Sequence, residues 1–500
     1  MTDYDVAVIG AGNGGLTAAL KLAQAGMNVV LFEKHNVPGG CATSFRRGRF
    51  EFDASLHQLN GIGTKEHPGP LRMIFDELGI TDELKFVFMD DLFRVVVEDK
   101  VDMSFKPDRA AFTATLKSNF PDERKNIDRF MDFLFAFYQE TIGVLVFQDP
   151  EATREKYPLT FQYAFKSVSD VLDMFFTDQT LKAAITPYWA YVGTPPHQLS
   201  FPYFTMVLAS FMQTAPCHFE GGSQALSNTL LSHFLKHGGT ARFNCGVEKI
   251  KVANGAVKGI ITSKKEEINV QHIVSNASKI RTFVDMIEPE NIPKQVLEDM
   301  RGLDVAISAI SLYIGCDCEP EELNIKESTN FVLNHSKLDD ILMTQAGDFD
   351  HFTDNYGMTC YNKIFPGFSP PGTCQISLIT QMTLDFWQKV PPSSYNEMKY
   401  RCADRFIEEA EKTFPNLRDH IEEIEIATPL TFMRYLGHPG GAFYGFMKKI
   451  KDSLYMQTEN RTYIKGLYMS GAGTGVGGFF PTLNSGVMAA KELMANHNSD

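Results

Sequence analysis

YDVAVIGAGNGG, which occupies residues 4–15, decides the fold. Its first half is an apolar run typical of a buried strand, and its second half carries the glycine spacing G-x-G-x-x-G. A helical stretch follows at residues 16–25, and a second apolar strand at residues 29–32 leads into Glu33. This order of strand, glycine turn, helix, strand and acid is typical of a dinucleotide-binding β-α-β unit.

The residues of this unit have separate tasks. Gly10 permits the tight turn, Gly12 lets a pyrophosphate approach the backbone, and Gly15 lets helix and strand pack closely. The helix N-terminus offers unpaired N–H groups to the phosphates, and the Glu33 carboxylate accepts hydrogen bonds from ribose hydroxyls. We therefore predict a dinucleotide site formed by Gly10, Ala11, Gly12, Gly14, Gly15, Glu33 and Lys34.

A glycine doublet downstream of Glu33 selects the nucleotide. Gly39 and Gly40 follow Pro38 shortly after the second strand. NAD-linked dehydrogenases carry no such doublet here, whereas FAD enzymes of the glutathione-reductase-like superfamily typically do. An ordinary glycine turn between two strands is the alternative interpretation. We predict that the cofactor is FAD and that Gly39 and Gly40 contact it.

Length and charge limit the class of protein. The chain has 500 residues, which is too many for one small core, so two or more domains are expected. The net charge is -14 without a block of lysines and arginines, so we predict no nucleic-acid partner. An anionic chain gains little from anionic headgroups, so any membrane contact would be apolar.

The cysteines and the first residues indicate a compartment. The eight cysteines are scattered except for the pair at 316 and 318, and no second Cys/His cluster suits a zinc site. We predict no metal site and free thiols in a reducing compartment. The acidic start runs straight into the first strand, and the apolar runs are shorter than a spanning helix. We expect a cytoplasmic protein, with peripheral contact at the inner face of a membrane as a further hypothesis.

The order of patterns predicts an α/β fold with discontinuous domains. We expect a glutathione-reductase-like, Rossmann-type FAD-binding domain assembled from residues 1–80, 216–280 and 431–500. Residues 81–215 are rich in phenylalanine and largely helical in pattern, so we expect them to face substrate or membrane. Residues 281–430 mix strand and helix patterns and are expected to form a substrate-domain sheet with helices.

Further motifs resemble one family. They are FEFDASLH at residues 50–57, GTPP at 193–196, GGSQAL at 221–226, VEKI at 247–250, RYLGHPGGA at 434–442 and GAGT at 471–474. With the glycine unit and doublet, they resemble the phytoene desaturase superfamily, which includes carotenoid desaturases, carotenoid isomerases and retinol saturases. The resemblance covers nearly the whole chain. It implies an amine-oxidase/phytoene-desaturase-like arrangement in which Val247, Gly471, Ala472, Phe480 and Leu483 also contact FAD.

Some positions depart from the family's pattern. Phe479 and Phe480 stand where relatives often have further glycines after the closing motif, Ala54 replaces a glycine, and Glu220 precedes the glycine pair. Two phenylalanines near the predicted flavin would reshape the space for substrate. These departures weaken the inference that the substrate is a standard C40 carotenoid.

The resemblance implies hydride chemistry on an apolar chain, which requires a tunnel with apolar walls. Residues 130–147 repeat apolar side chains at helical spacing, which suits either a tunnel wall and membrane-facing entry or an ordinary core-facing helix. We predict a substrate tunnel lined by Phe130, Phe133, Phe137, Phe479, Arg434 and Tyr435.

Acid–base candidates are few. His57 lies in the segment after the doublet, Glu220 precedes a glycine pair, and His438 precedes another. Each could transfer a proton or stabilise a developing cation near the flavin, and each could equally be a hydrogen-bonded structural residue. His57 ranks first because the resemblance places it near the cofactor.

Several functions remain alternatives at this point. The first is desaturation or saturation of a carbon–carbon bond in a long apolar polyene or isoprenoid lipid. The second is redox-neutral isomerisation of a carotenoid or polyunsaturated fatty acid. An amine-oxidase-like activity fits the middle motifs less well, and a flavin-free chaperone like the Rab GDP-dissociation inhibitors is disfavoured by the intact glycine set. The electron acceptor (oxygen, a quinone or another protein) and the oligomeric state stay open.

Overall fold

A computed structural model describes residues 3–98, 100–146, 149–336, 347–452, 460–475 and 477–497. In chain order its strands are β1 (Tyr4–Ile9), β2 (Val29–Phe32), β3 (Ser44–Arg47), β4 (Phe50–Asp53), β5 (Phe86–Phe88), β6 (Phe93–Val97), β7 (Val101–Phe105), β8 (Cys217–Phe219), β9 (Thr240–Arg242), β10 (Val247–Ala253), β11 (Ala256–Thr262), β12 (Glu267–Ser275), β13 (Ser308–Cys316), β14 (Thr329–Leu333), β15 (Asn355–Cys360), β16 (Cys374–Met382), β17 (Ile421–Ala427) and β18 (Leu467–Met469).

The α-helices alternate with these strands along the chain. They are α1 (Asn13–Gln24), α2 (Pro70–Leu78), α3 (Arg109–Asn119), α4 (Arg124–Thr141), α5 (Pro158–Tyr163), α6 (Val168–Asp173), α7 (Gln179–Ile185), α8 (Phe201–Thr214), α9 (Gly222–Lys236), α10 (Lys294–Arg301), α11 (Tyr361–Ile364), α12 (Leu384–Gln388), α13 (Tyr395–Glu411), α14 (Pro429–Leu436) and α15 (Phe479–His497). A π-helical turn at Ile142–Val146 continues α4.

The first sheet is built around the β-α-β unit. Its strand order is β10-β11-β12-β1-β2-β9, and β18 pairs with the end of β12. The strands β18, β12, β1, β2 and β9 are parallel to one another. Asn254 and Gly255, a pair typical of tight hairpin turns, join β10 to β11 in an antiparallel hairpin. Helices α1, α9 and α15 cover one face of the sheet and share its apolar core.

The second sheet is mostly antiparallel, with strand order β17-β13-β16-β15-β14-β6-β7. Its one parallel pair among the named strands joins β14 to β6. Strands β6 and β7 come from the region expected to be largely helical, so that region also completes the substrate sheet. Only β7 alternates apolar and polar residues, and β6 is a short run without alternation, so the long helical patterns around them dominate the sequence-based prediction.

Side chains on the second sheet alternate between two environments. Ile310, Leu312, Val332, Met358 and Leu378 point into a core that α13 covers. The alternate positions face the other way, toward the first sheet and helices α4 and α8. Within the described residues, the helices are too short or too polar to span a lipid bilayer.

Candidate active site

A cavity of about 910 Å³ reaches from the β1–α1 turn to the second sheet. Gly10, Gly12 and Gly14 line it on one side, together with Gly39 and Gly40. The far wall includes residues of β13, β14, β15 and β16 and of helix α8. The dinucleotide motif and the face of the substrate sheet therefore border one continuous space.

The β1–α1 turn has the geometry that its glycines predict. Gly10 has a φ of +91°, which L side chains rarely adopt. A Cβ at Gly15 would stand 1.9 Å from the carbonyl oxygen of Gly10, so helix and turn pack too closely for any side chain. Helix α1 begins after Gly12 with no side-chain cap and no acidic residue in its first turn. Its first N–H groups are thus available to an anion.

Glu33 closes the unit with a fixed carboxylate. Ala11 N–H donates to Glu33 Oε2 at 2.7 Å, and His35 N–H donates to Glu33 Oε1 at 2.9 Å. Glu33 and Lys34 line the cavity, and Val247 lies beside them on the wall. Since backbone donors hold the carboxylate in the cavity wall, it can accept hydrogen bonds from ribose hydroxyls without rearranging.

The last turn of α14 and the residues after it lie against this same end of the cavity. Lys34 Nζ donates to the carbonyl of Arg434 at 2.9 Å, and the ring of Tyr435 stacks on His35 with centroids 5.1 Å apart. His438 lines the cavity, and burial with the charge of Lys34 lowers its pKa to about 4. We call Glu33, Lys34, His35, Tyr435 and His438, all on the cavity wall, the Glu33 end. Tyr435 and His438 line the cavity here, with His438 near Lys34, whereas Arg434 does not line it, which corrects the prediction of Arg434 as a tunnel residue.

The closing glycine segment meets the first turn. A Cβ at Gly14 would stand 2.5 Å from the backbone nitrogen of Gly471, so these two turns touch. Gly471, Ala472, Phe479 and Phe480 line the cavity. Leu483 does not line it: its carbonyl accepts a hydrogen bond from Thr17 Oγ1 at 3.0 Å, which ties α15 to α1. Leu483 is therefore a packing residue, which corrects its prediction as a cofactor contact.

A second part of the cavity is formed around His57. The Tyr361 hydroxyl donates to the Leu56 carbonyl at 3.0 Å and lies 3.3 Å from His57 Nδ1. The His57 ring stacks on Tyr191 with centroids 6.4 Å apart. Burial, with a contribution from nearby His218, lowers the pKa of His57 to about 4. His57 is therefore neutral at neutral pH.

Gln58, the residue after His57, holds a second tyrosine hydroxyl in this part of the cavity. The Tyr191 hydroxyl donates to Gln58 Oε1 at 3.3 Å, and Gln58 is held by its own hydrogen bond to the Leu92 carbonyl at 2.6 Å. Tyr444 lies close enough to interact electrostatically with Tyr191 and with Cys41. Burial raises the pKa of both tyrosines, so both stay protonated. We call His57, Tyr191, Tyr444 and Cys41, all on the cavity wall, the His57 end.

The second sheet provides an apolar surface beside the His57 end. Phe331, Gly357 and Ile379 are neighbours across three strands and all line the cavity. Helices and loops complete the wall with Tyr138, Ile142, Val146, Tyr203, Met206, Val207 and Phe211. Polar residues of the sheet also line the cavity, among them Thr329, Thr359 and Gln381. The Nε2 atom of Gln381 is buried with no hydrogen-bond partner among the described residues.

Four predicted residues lie elsewhere. Phe130 and Phe137 of α4 are fully buried in the core, and Phe133 packs against that core, whereas Tyr138 and Ile142 reach the cavity. The apolar face of α4 thus meets other helices, which corrects the tunnel prediction for these three phenylalanines. Glu220 also lies off the cavity, because its carboxylate is exposed and pairs with Lys85 at 3.2 Å. Its prediction as a catalytic residue is wrong.

Sequence reasoning missed other residues of the site. Asn276, after β12, contacts the positions of Gly10, Gly12 and Gly471 and lines the cavity. Gln58, Tyr191 and Tyr444 were also missed. Gln58 follows His57, Tyr191 lies just before GTPP, and Tyr444 lies just after RYLGHPGGA. Their closeness to these motifs is the sequence feature that could have identified them.

The fold and the cavity define a flavoenzyme, and comparison with known proteins agrees. The model of the flavin containing amine oxidoreductase family matches residues 14–494, so the chain belongs to that family. Membership confirms the predicted superfamily resemblance, the α/β fold class and FAD as the cofactor, and it confirms that the protein is an enzyme.

Individual relatives extend this comparison. The chain is 24% identical to all-trans-retinol 13,14-reductase of Danio rerio over 99% of this chain and 86% of that protein. It is 26% identical to prolycopene isomerase 2, chloroplastic, of an Oncidium hybrid cultivar over 99% and 84% of the two chains. The crystal structure of an oxidoreductase from Methanosarcina mazei superposes with a TM-score of 0.67 at 17% identity, covering 98% and 100% of the chains. That structural likeness shows the shared fold.

The residues on the cavity wall fit FAD. The uncapped start of α1 and the side-chain-free glycines suit the pyrophosphate, and Glu33 suits a ribose. Gly39, Gly40 and Cys41 continue the wall from this turn toward His57. When bound, FAD supplies a group that accepts or donates hydride.

Proposed function

We propose that this protein uses FAD to desaturate or saturate a carbon–carbon bond in a long apolar polyene or isoprenoid lipid. The observation that carries this proposal is the continuous cavity, which joins the dinucleotide motif to the apolar face formed by Phe331, Gly357 and Ile379. A reductase of retinol and an isomerase of prolycopene among the relatives support a polyene substrate. We also propose that residues 1–80, 216–280 and 431–500 form the FAD-binding domain.

We propose that His57 exchanges a proton with the substrate. Because the Tyr361 hydroxyl donates to the Leu56 carbonyl, its oxygen accepts from His57 Nδ1–H, which leaves Nε2 with a free lone pair. A pKa of about 4 makes His57 a weak base and its protonated form a strong acid. A weak base is sufficient to remove a proton from a carbon next to an electron-poor centre. In the reverse direction, the protonated imidazole is acidic enough to return a proton to that carbon. Tyr191 orients the ring by stacking on it.

One polar group narrows the set of substrates to test. Gln381 Nε2 reaches a cavity-facing position of the second sheet with no partner in the described part of the chain. A buried amide donor without a partner costs free energy that a substrate oxygen would offset. This favours a lipid with a hydroxyl, carbonyl or carboxyl group over a pure hydrocarbon.

Product analysis tests the proposal. FAD-loaded protein would be incubated with retinoids, hydrocarbon carotenoids and polyunsaturated fatty acids, once with oxidised flavin in air as the electron acceptor and once with dithionite-reduced flavin under anaerobic conditions. Each component would be followed by mass and chromatographic position. A mass change of one hydrogen pair is expected: a gain indicates a saturase and a loss indicates a desaturase. An unchanged mass with a shifted position would instead establish isomerisation, the second candidate, which needs no electron acceptor. No change in any component would overturn the proposal.

We further propose that the cavity opens toward a membrane surface, with the protein on its cytoplasmic side. Met73 of α2 lines the cavity and is 55% exposed, and Ile142 and Val146 line the same space. An apolar entrance would let a lipid pass directly from a bilayer. Sedimentation with phosphatidylcholine vesicles should carry the protein down, and Met73→Lys should release it. Met488→Lys, at an exposed methionine of α15, is the matched control. Equal binding of both variants would contradict the entrance.

A further inference from the structure

Four of the eight cysteines meet at one end of the second sheet, although only Cys316 and Cys318 are close in sequence. Cys316 of β13 lies directly opposite Cys374 of β16, and Cys360 ends the adjacent strand β15. The Cys374 thiol interacts with those of Cys316 and Cys360, and the Cys318 thiol interacts with that of Cys374. All four are buried in the core that α13 covers.

Two more ligand-type side chains approach this thiol group from the surface. The backbone N–H of Asp317 donates to the His420 carbonyl at 3.0 Å, which continues the β13–β17 pairing past its last residue. His420 Nδ1 lies 2.9 Å from Asp317 Oδ1. Ligand atoms of Asp317, Cys318 and His420 all lie within 4.8 Å of one another. Asp317 is exposed and His420 half-buried, so an ion can reach the group from solvent.

We propose that Asp317, Cys318 and His420 bind a zinc-class divalent cation, with Cys374 as the fourth ligand. Zn²⁺ binds sulfur at about 2.3 Å and imidazole nitrogen or carboxylate oxygen at about 2.0–2.2 Å. Tetrahedral ligand atoms therefore stand roughly 3.3–3.8 Å apart, which small side-chain rotations achieve for Asp317, Cys318 and His420 from their observed separations. Cys374 lies outside that group of three, but its thiol interacts with that of Cys318, so rotation of its side chain brings it to the fourth position. A set with thiol and imidazole excludes Mg²⁺ and Ca²⁺, which prefer oxygen ligands.

The site has a structural consequence distinct from the proposed reaction. Among the described residues, the cavity wall includes none of these four ligands. An ion bound there joins the end of β13 to the residue before β17 and to the start of β16. Because the ion binds the folded chain, it stabilises the protein in proportion to its affinity and leaves turnover of the flavin site unchanged.

Metal analysis of the full-length flavoprotein tests the site. After dialysis against metal-free buffer and addition of ZnCl₂, the protein should retain one equivalent of zinc and melt at a higher temperature. Cobalt(II) in its place should give ligand-field bands at wavelengths longer than the flavin absorbs, with intensities typical of tetrahedral coordination. Cys318→Ser and His420→Ala should each weaken affinity at least ~10-fold, and Cys374→Ser should alter the cobalt bands.

Two variants control for unspecific effects. Cys402→Ser removes a buried cysteine of α13 outside the group, and His351→Ala removes an exposed histidine that lies 3.1 Å from the Asp354 carboxylate, outside the metal-ligand group. Both should bind zinc and cobalt as the natural chain does. Flavin content confirms that each variant is folded. Absence of tight zinc binding, or full affinity in folded His420→Ala, would overturn the site, and unchanged cobalt bands in Cys374→Ser would overturn the fourth ligand.

Discussion

The Glu33 end and the His57 end of the cavity differ in charge and in origin. The Glu33 end carries a fixed carboxylate, Lys34 and the end of α14, which suits the polar half of a dinucleotide. The His57 end presents a neutral imidazole, a thiol and protonated tyrosines beside an apolar sheet. The first end is built on a local motif to which the distant helix α14 is added, whereas the second is formed throughout by contacts between residues far apart in the chain.

His57 and His438 have the same pKa shift but lie at different ends of the cavity. Burial lowers the pKa of each to about 4, so the pKa alone selects neither. His438 stands near the charge of Lys34, whereas His57 has hydroxyl neighbours and a ring partner. A catalytic assignment therefore depends on which groups surround the ring, not on how far its pKa has moved.

The largest expected effect is the loss of FAD when the β1–α1 turn beside the Glu33 end is changed. Gly15→Val places a Cβ 1.9 Å from the Gly10 carbonyl and should abolish FAD retention, because the turn cannot keep its shape. The ratio of flavin to protein absorbance after purification and reconstitution measures this. Gly302→Ala, whose Cβ would meet only Lys451 Nζ at 3.8 Å, should keep a full complement. Normal flavin in Gly15→Val would contradict the account of this turn.

A pair of histidine variants separates the two ends. His57→Gln should lower kcat about 10²- to 10⁴-fold with flavin content intact, because a proton-exchanging group is lost. His438→Gln should instead weaken FAD binding and leave kcat at saturating FAD within a few-fold. Steady-state kinetics with flavin titration distinguishes these results. The comparison fails if the two variants lose activity and flavin in the same way.

The apolar sheet face can be tested by narrowing it. Ile379→Trp projects into the cavity and should lower kcat/KM for the long substrate by about 10- to 200-fold. Leu378→Met changes the neighbouring residue, which points into the opposite core, and should have little effect. A shorter substrate should lose less than a long one with Ile379→Trp. Equal losses for both lengths would mean that this face does not contact the substrate.

Stability should depend on pH through both histidines. Their folded-state pKa of about 4 lies below the ordinary value of 6.5, so the unfolded chain binds more protons between these values. The stabilising contribution is full above pH 6.5 and is lost as the pH falls toward 4, by on the order of 1–3 kcal/mol per histidine. Urea unfolding at several pH values should show a shallower decline for His57→Gln and His438→Gln than for the natural chain. An identical decline would contradict the pKa shifts.

The smallest effect is expected at Glu220, outside both ends. Its pair with Lys85 is exposed, so Glu220→Gln should change the free energy of unfolding by less than about 1 kcal/mol and leave kcat unchanged. Chemical denaturation and steady-state assays check this. Loss of activity there would restore the rejected catalytic role.

Local patterns predicted the first sheet well, because each part of a β-α-β unit constrains its neighbours along the chain. The turn at Gly10 and the acid at Glu33 both stand where spacing alone indicated. The same reasoning misplaced Phe130 and Phe137, since periodicity shows that a helix has an apolar face but not what covers it.

The sequence by itself determined the nucleotide-binding unit, FAD and the family, because those depend on residues close together in the chain and on backbone shapes that only glycine adopts. Tertiary structure alone decided which side chains lie against His57, since Tyr191 and Tyr361 come from segments far apart in the chain. It also decided that Cys316 and Cys374 meet, because strand register, not sequence distance, brings them together.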